Sequence, residues 1–176
     1  CHKSVSLGKA LQKAGVPIVI YLRNVEFHEL GGDLGELGPA HYIANSEFTA
    51  RTYKNRFGID STIIPPTIDP ALYTTSSSRE CVTFINPYEE KGFELALQIA
   101  QRCPEIPFLF QESWKLSKEH RAEIEAEIAA FGNITLESRT TDMKTVYGRT
   151  RILLAPSKWE EAWGRVASEA QCSGIP

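Results

Sequence analysis

Apolar positions along this chain fall into short runs that alternate with segments of helical period. The longest run, Val16-Pro-Ile-Val-Ile-Tyr-Leu22, is rich in β-branched residues and far too short to cross a bilayer, so it reads as a buried strand of a parallel sheet. Lys9 to Lys13 before it reads as a helix closed by Gly15, and a glycine-rich loop follows as far as Pro39. Tyr42 to Ala44 is a short strand, Ser46 caps a helix that runs through Phe57 and ends on Gly58, and Thr62 to Ile64 is another strand. Pro65, Pro66, Pro70 and the run Thr74 to Ser78 then mark the best candidate boundary.

Past that boundary the pattern predicts strand Cys81 to Ile85, helix Phe93 to Arg102, strand Pro107 to Phe110 and helix Lys118 to Phe131. Strand Ile134 to Leu136, helix Thr141 to Tyr147, strand Arg151 to Ala155 and a last helix, Val166 to Cys172, complete it. Successive βα units imply an α/β fold with a parallel, doubly wound sheet. Ligands on such sheets bind beyond the carboxyl ends of the strands, where Asn86, Arg139 and Pro156 fall.

Composition narrows the classes. With 176 residues, 42% of them hydrophobic, the chain is long enough for a substantial core. A net charge of −3 supplies no electrostatic footprint for nucleic acid. Cys1, Cys81, Cys103 and Cys172 are too scattered for zinc knuckles or a redox pair and read as reduced thiols of a cytoplasmic protein. His28, His41 and His120 lack ligand-like neighbours, and no Asp-x-Asp occurs, so no metal site is expected. Gly32, Gly35 and Gly38 do not have dinucleotide-binding spacing, and Asn133-Ile-Thr135 is a sequon that a cytosolic chain would not use. Lys115 to Phe131 carries Ile124, Ile128 and Phe131 on one face, which reads as core packing.

Candidate chemistry concentrates near the end of the chain. After the strand that stops at Pro156 and Ser157, Gly164 opens a helix, and Glu161 and Glu169 stand eight apart around it. Backbone N–H groups at a helix start lack intrahelical partners and attract an anion, and glycine leaves room for a phosphate to approach. Glu169 is an acceptor-only side chain suited to the two hydroxyls of a ribose. The plain alternative is a solvated helix acid and a loop acid.

Four segments, in order, resemble one family. They are Ile43-Ala-Asn-Ser46-Glu-Phe; Ile63-Ile-Pro-Pro-Thr-Ile-Asp69-Pro-Ala-Leu-Tyr73; Phe84-Ile-Asn-Pro-Tyr-Glu-Glu-Lys91-Gly92; and Ala155-Pro-Ser-Lys-Trp-Glu-Glu161-Ala-Trp-Gly164-Arg-Val-Ala-Ser-Glu169-Ala-Gln-Cys-Ser-Gly174-Ile-Pro176. Together they resemble the large retaining family of GT-B glycosyltransferases often called GT4. The resemblance implies two Rossmann-like doubly wound parallel sheets of GT-B type, here incomplete at both ends. Residues 1–73 would be the later part of the acceptor-side domain, 74–80 a linker, and 81–176 a truncated nucleotide-sugar-binding domain.

It also implies an activity and roles. A sugar would pass with retention, and without a metal, from a nucleotide-diphosphate-sugar to an acceptor hydroxyl. UDP-sugar is the favoured donor and GDP-sugar the other candidate; there is no separate cofactor. Lys91 would meet the diphosphate, with a solvated surface lysine as the alternative. Where the family has Gly-Arg, this chain has Ile85-Asn86, so Asn86 would hydrogen-bond where arginine pairs ionically, or Arg165 or Arg23 would compensate. Gly164, Arg165 and Val166 would present amides to the phosphates, Glu161 would hold the donor sugar and Glu169 the ribose. Arg139-Thr140 would read the base or form an ordinary loop, and His2 would point toward the donor sugar or be a frayed terminus. The acceptor would be a saccharide or lipid-linked, in polysaccharide or glycoconjugate synthesis at the inner face of the cytoplasmic membrane, with peripheral membrane association through regions absent here. A nucleotide-sugar 2-epimerase, a sugar phosphorylase and a non-catalytic nucleotide-sugar-binding module are the competing functions, and the fragment by itself is expected to be inactive.

Overall fold

A computed structural model of the chain describes residues 4–176 and divides them into two compact units. The first runs to Thr67 and takes in Glu160–Trp163; the second comprises Ile68–Trp159 and Gly164–Pro176.

The first unit is built on a three-stranded parallel sheet, β1 (Val19–Leu22), β2 (His41–Ala44) and β3 (Thr62–Ile63), in the order β1-β2-β3. Helix α1 spans Ser4–Lys13, earlier than the predicted start at Lys9. Gly8, a poor helix former, lies inside it. A Cβ there would come within 3.1 Å of Leu37 Cδ2, so its absence lets Leu37 close onto the helix. Strand β1 starts later than Val16, because Pro17 has no N–H to give a ladder. Helix α2 (Glu47–Phe57) matches its predicted limits: the Ser46 hydroxyl accepts the Thr49 N–H at 3.1 Å, and Gly58, at φ 69, donates to the Lys54 carbonyl. The glycine-rich loop folds into two single 3₁₀ turns that push Leu30 and Leu34 into a core of Val5, Leu22, Ala44 and Tyr53.

The second unit holds four parallel strands, β4 (Cys81–Ile85), β5 (Phe108–Gln111), β6 (Ile134–Glu137) and β7 (Thr150–Leu154), in the order β6-β5-β4-β7. Helices α3 (Phe93–Arg102), α4 (Lys118–Ile128), α5 (Met143–Tyr147) and α6 (Arg165–Gln171) alternate with them. Every residue of β4 is buried, as a central strand covered on both faces requires. Val82, Phe84, Phe108 and Phe110 pack with Ala96, Ala100, Ile124 and Ile128 on one side. On the other, Ile85 packs with Tyr147, Ala170 and Ile175, and Leu109 with Val146. The fold is therefore α/β and doubly wound. Predicted limits shift by one to three residues where capping decides them. Helix α5 begins after Asp142, whose carboxylate accepts the Lys144 N–H, and α4 ends at Ile128, before Phe131. The Thr74 to Ser78 run lies along this unit, with the Thr75 N–H donating to Ser173 Oγ and the Ser78 N–H to the Gly148 carbonyl. Among the described residues no helix is long and apolar enough to cross a membrane.

Candidate functional site

Sequence order reverses between β4 and β7, which puts a crevice beyond their carboxyl ends. Asn86 leaves β4 with φ 62, a left-handed conformation that asparagine tolerates better than most side chains. Its carboxamide oxygen accepts the N–H groups of Ser113 (3.2 Å) and Trp114 (2.6 Å), tying the loop after β5 to the end of β4. That oxygen thus serves the protein.

Lys91 ends a 3₁₀ turn, Glu89–Lys91, and its ammonium lies 4.9 Å from the Trp114 ring centroid and 5.5 Å from that of Trp159. Two indole faces beside one cation hold it by cation–π attraction. Gly92, at φ 85, meets the β7 loop backbone to backbone, and the Lys158 N–H donates to the Glu90 carbonyl at 3.0 Å across the same junction.

Gly164 is different. Its φ is −67, and among the described residues a Cβ there would touch only Ala167 Cβ, at 3.9 Å. The packing of the described residues does not demand glycine at this position. Helix α6 has only seven residues, so the anion argument rests on the local N–H groups of its first turn more than on a summed dipole.

Glu169 is 8% exposed and has protein donors on both oxygens: Arg165 Nε to Oε1 at 3.2 Å and Tyr147 Oη to Oε2 at 3.1 Å. Arg165 Nη2 also lies 3.2 Å from the Tyr73 hydroxyl. Burial, then the charge of Glu169, push the Tyr147 phenol far above its ordinary pKa, so it is a permanent donor. Burial works against the charge of Arg165, and Glu169 followed by Tyr73 more than offsets it, leaving the guanidinium pKa above its usual value.

The remaining candidates are more dispersed. The Val166 carbonyl lies 3.4 Å from the Tyr147 hydroxyl. Arg139 is exposed on the loop after β6, and Thr140 Oγ1 accepts the Asp142 N–H at 3.0 Å, which helps set the start of α5. Glu161 is exposed on the Glu160–Trp163 segment of the first unit, where the neighbouring Ala162 carbonyl accepts the Ser46 hydroxyl at 2.8 Å. His2 lies outside the described residues. Sequence reading missed Tyr73, Trp114, Tyr147 and Trp159. A cavity of 710 Å³ beside the amino end of β7, lined by Thr75, Ser77, Arg79, Arg151, Ser173 and Pro176 among others, contains none of the candidate residues. No cluster of three or more His, Cys, Asp or Glu among the described residues could hold a metal ion.

No protein-family model matches the chain. No curated protein matches it by sequence. Solved structures do match its fold. Anabaena Alr3699/HepE in complex with UDP-glucose superposes with a TM-score of 0.81 at 18% identity, over 98% of this chain and 56% of that one. A glycosyltransferase from Rickettsia africae ESF-5 gives 0.69 at 13% identity, covering 98% and 60%. WaaG, a glycosyltransferase involved in lipopolysaccharide biosynthesis, gives 0.69 at 14%, covering 97% and 61%. The chain therefore has the α/β fold of GT-B glycosyltransferases and spans little more than half the length of these proteins.

Proposed function

We propose that this chain carries the donor-binding side of a retaining glycosyltransferase that takes a hexose from a nucleotide-diphosphate-sugar, UDP-sugar by preference, and passes it to a hydroxyl of a saccharide or lipid-linked acceptor in polysaccharide synthesis. The observation that carries this reading is the pairing, around the start of α6, of a glycine that packing does not require with a buried, two-donor carboxylate, Glu169. The likeness in fold to HepE, which binds UDP-glucose, supports it.

In this reading the leaving diphosphate meets the Lys91 ammonium, the Arg165 guanidinium and the amides from Gly164 to Val166, groups fixed before negative charge develops. Glu169 accepts from the ribose hydroxyls. Glu161 accepts from the donor sugar. Asn86 donates its NH₂ to a phosphate oxygen, and the Arg139-Thr140 loop lies along the base.

Thermal unfolding with UDP, GDP and ADP, for the parent chain and Glu169→Ala, tests the reading. A nucleotide at about 100 times its Kd adds about 2.7 kcal/mol of stability. A UDP-selective rise in midpoint that Glu169→Ala abolishes is expected. A rise that Glu169→Ala leaves intact, or none with any nucleotide, removes the basis for a donor site here.

A further inference from the structure

We propose that the Tyr147 hydroxyl is a positioning group for Glu169, and that their hydrogen bond lets the chain select a ribonucleoside diphosphate over its 2′-deoxy counterpart. This rests on the reading of Glu169 as the ribose acceptor.

A glutamate reaches its ligand through three rotatable bonds, and two vicinal hydroxyls are accepted together only if the plane of the carboxylate is held. Here it is held from both sides and by two elements. Arg165, one turn back on α6, donates to Oε1, while Tyr147, from the end of α5, donates to Oε2 at 3.1 Å. Each carboxylate oxygen has two acceptor directions, so one on each remains for a diol. The Arg165 bond does not fix the plane alone, because that guanidinium is half exposed and is shared with the Tyr73 hydroxyl. Tyr147 is fully buried, and its ring is clamped by Ile85, Ala170 and Ile175. Its phenol stays protonated across the neutral range because burial and the neighbouring carboxylate disfavour the phenolate. The hydroxyl is thus the rigid member of the pair, and the ring beneath it is ordinary core.

Tyr147→Phe keeps the ring and removes only this donor. Calorimetric titration with UDP and 2′-deoxy-UDP supplies a readout that packing alone does not move. The parent is expected to prefer UDP by about tenfold, the worth of one well-made hydrogen bond, and Tyr147→Phe to bring the two affinities within about threefold, chiefly by weakening UDP. In a Glu169→Ala background, Tyr147→Phe should change neither affinity, since the tyrosine acts only through the carboxylate. If Tyr147→Phe does not fold, ring-fluorinated tyrosine at the same position, a stronger donor of nearly the same shape, should raise the preference for UDP. A preference unchanged by removing or strengthening the donor overturns this inference and leaves the donor site standing. No preference in the parent, or no binding of either nucleotide, overturns the reading of Glu169 and this inference with it.

Discussion

Gly92→Ala is expected to destabilise the second unit by about 2 kcal/mol or more. The left-handed φ of 85 costs an alanine about 1–2 kcal/mol. The added Cβ would lie 2.2 Å from the Pro156 carbonyl oxygen and 2.8 Å from its carbon, both backbone atoms that no rotamer change can clear. Reaching an ordinary contact of about 3.3 Å means parting the β4 and β7 loops by about 1 Å. That stretches the 3.0 Å bond from the Lys158 N–H to the Glu90 carbonyl beyond useful range, a loss of about 1 kcal/mol. The lower unfolded-state entropy of alanine returns about 0.4–1 kcal/mol. Urea denaturation followed by circular dichroism measures the difference, read from the midpoint at unchanged slope. Gly164→Ala is the matched control. With φ −67 and its nearest neighbour at 3.9 Å, it should stay within about 0.5 kcal/mol of the parent while weakening UDP binding. A Gly92→Ala chain as stable as the Gly164→Ala chain would refute the claim that the two loops meet backbone to backbone.

Two further outcomes follow from the same geometry. Lys91→Met keeps the aliphatic stem beside Trp114 and Trp159 and removes the ammonium; it should weaken UDP at least about tenfold and uridine hardly at all, and equal losses by calorimetry would take Lys91 away from the phosphates. Tyr53 is fully buried, donates to the Asn24 carbonyl at 3.0 Å, and is pushed from 10 to about 12 by burial and then by Glu26. A folded-state pKa above the unfolded one means that its contribution is complete below about pH 10 and is lost as pH rises through about 12, some ~3 kcal/mol in all. Urea midpoints measured across that range should fall in the parent and fall less in Tyr53→Phe.

The strands, most helix ends and the carboxyl-end location of the candidate site were legible because each is written in local chemistry. Ser46 and Gly58 bracket α2 by capping, and the β-branched run before Leu22 marks a strand, though not the buried one expected: β1 lies at the edge of its sheet, with Val19 and Tyr21 exposed and Leu22 buried. What escaped sequence reading depends on partners far along the chain. Gly8 sits inside α1, and its use there depends on Leu37, far along the chain, which fills the space its missing side chain leaves. Asn86 looked like a substitute for a phosphate-binding arginine, yet its oxygen holds loop amides 27 and 28 residues away. Asn133 looked like a sequon and instead donates to the carbonyls of Ala100, Cys103 and Ile106, closing the end of α3. Tyr147 ends a short helix as core tyrosines often do, and no periodicity distinguishes a hydroxyl that points at Glu169 from one that points at water. A residue type declares which hydrogen bonds it can make, but only the packed fold selects among them. The second layer of a candidate site, the groups that hold its candidate ligand-holding groups, is therefore the part a motif cannot encode: Glu161 and Glu169 stand out through the resemblance of their segment to a family motif, whereas the donors on Glu169, Tyr147 and Arg165, come from helices on either side of β7 in the chain.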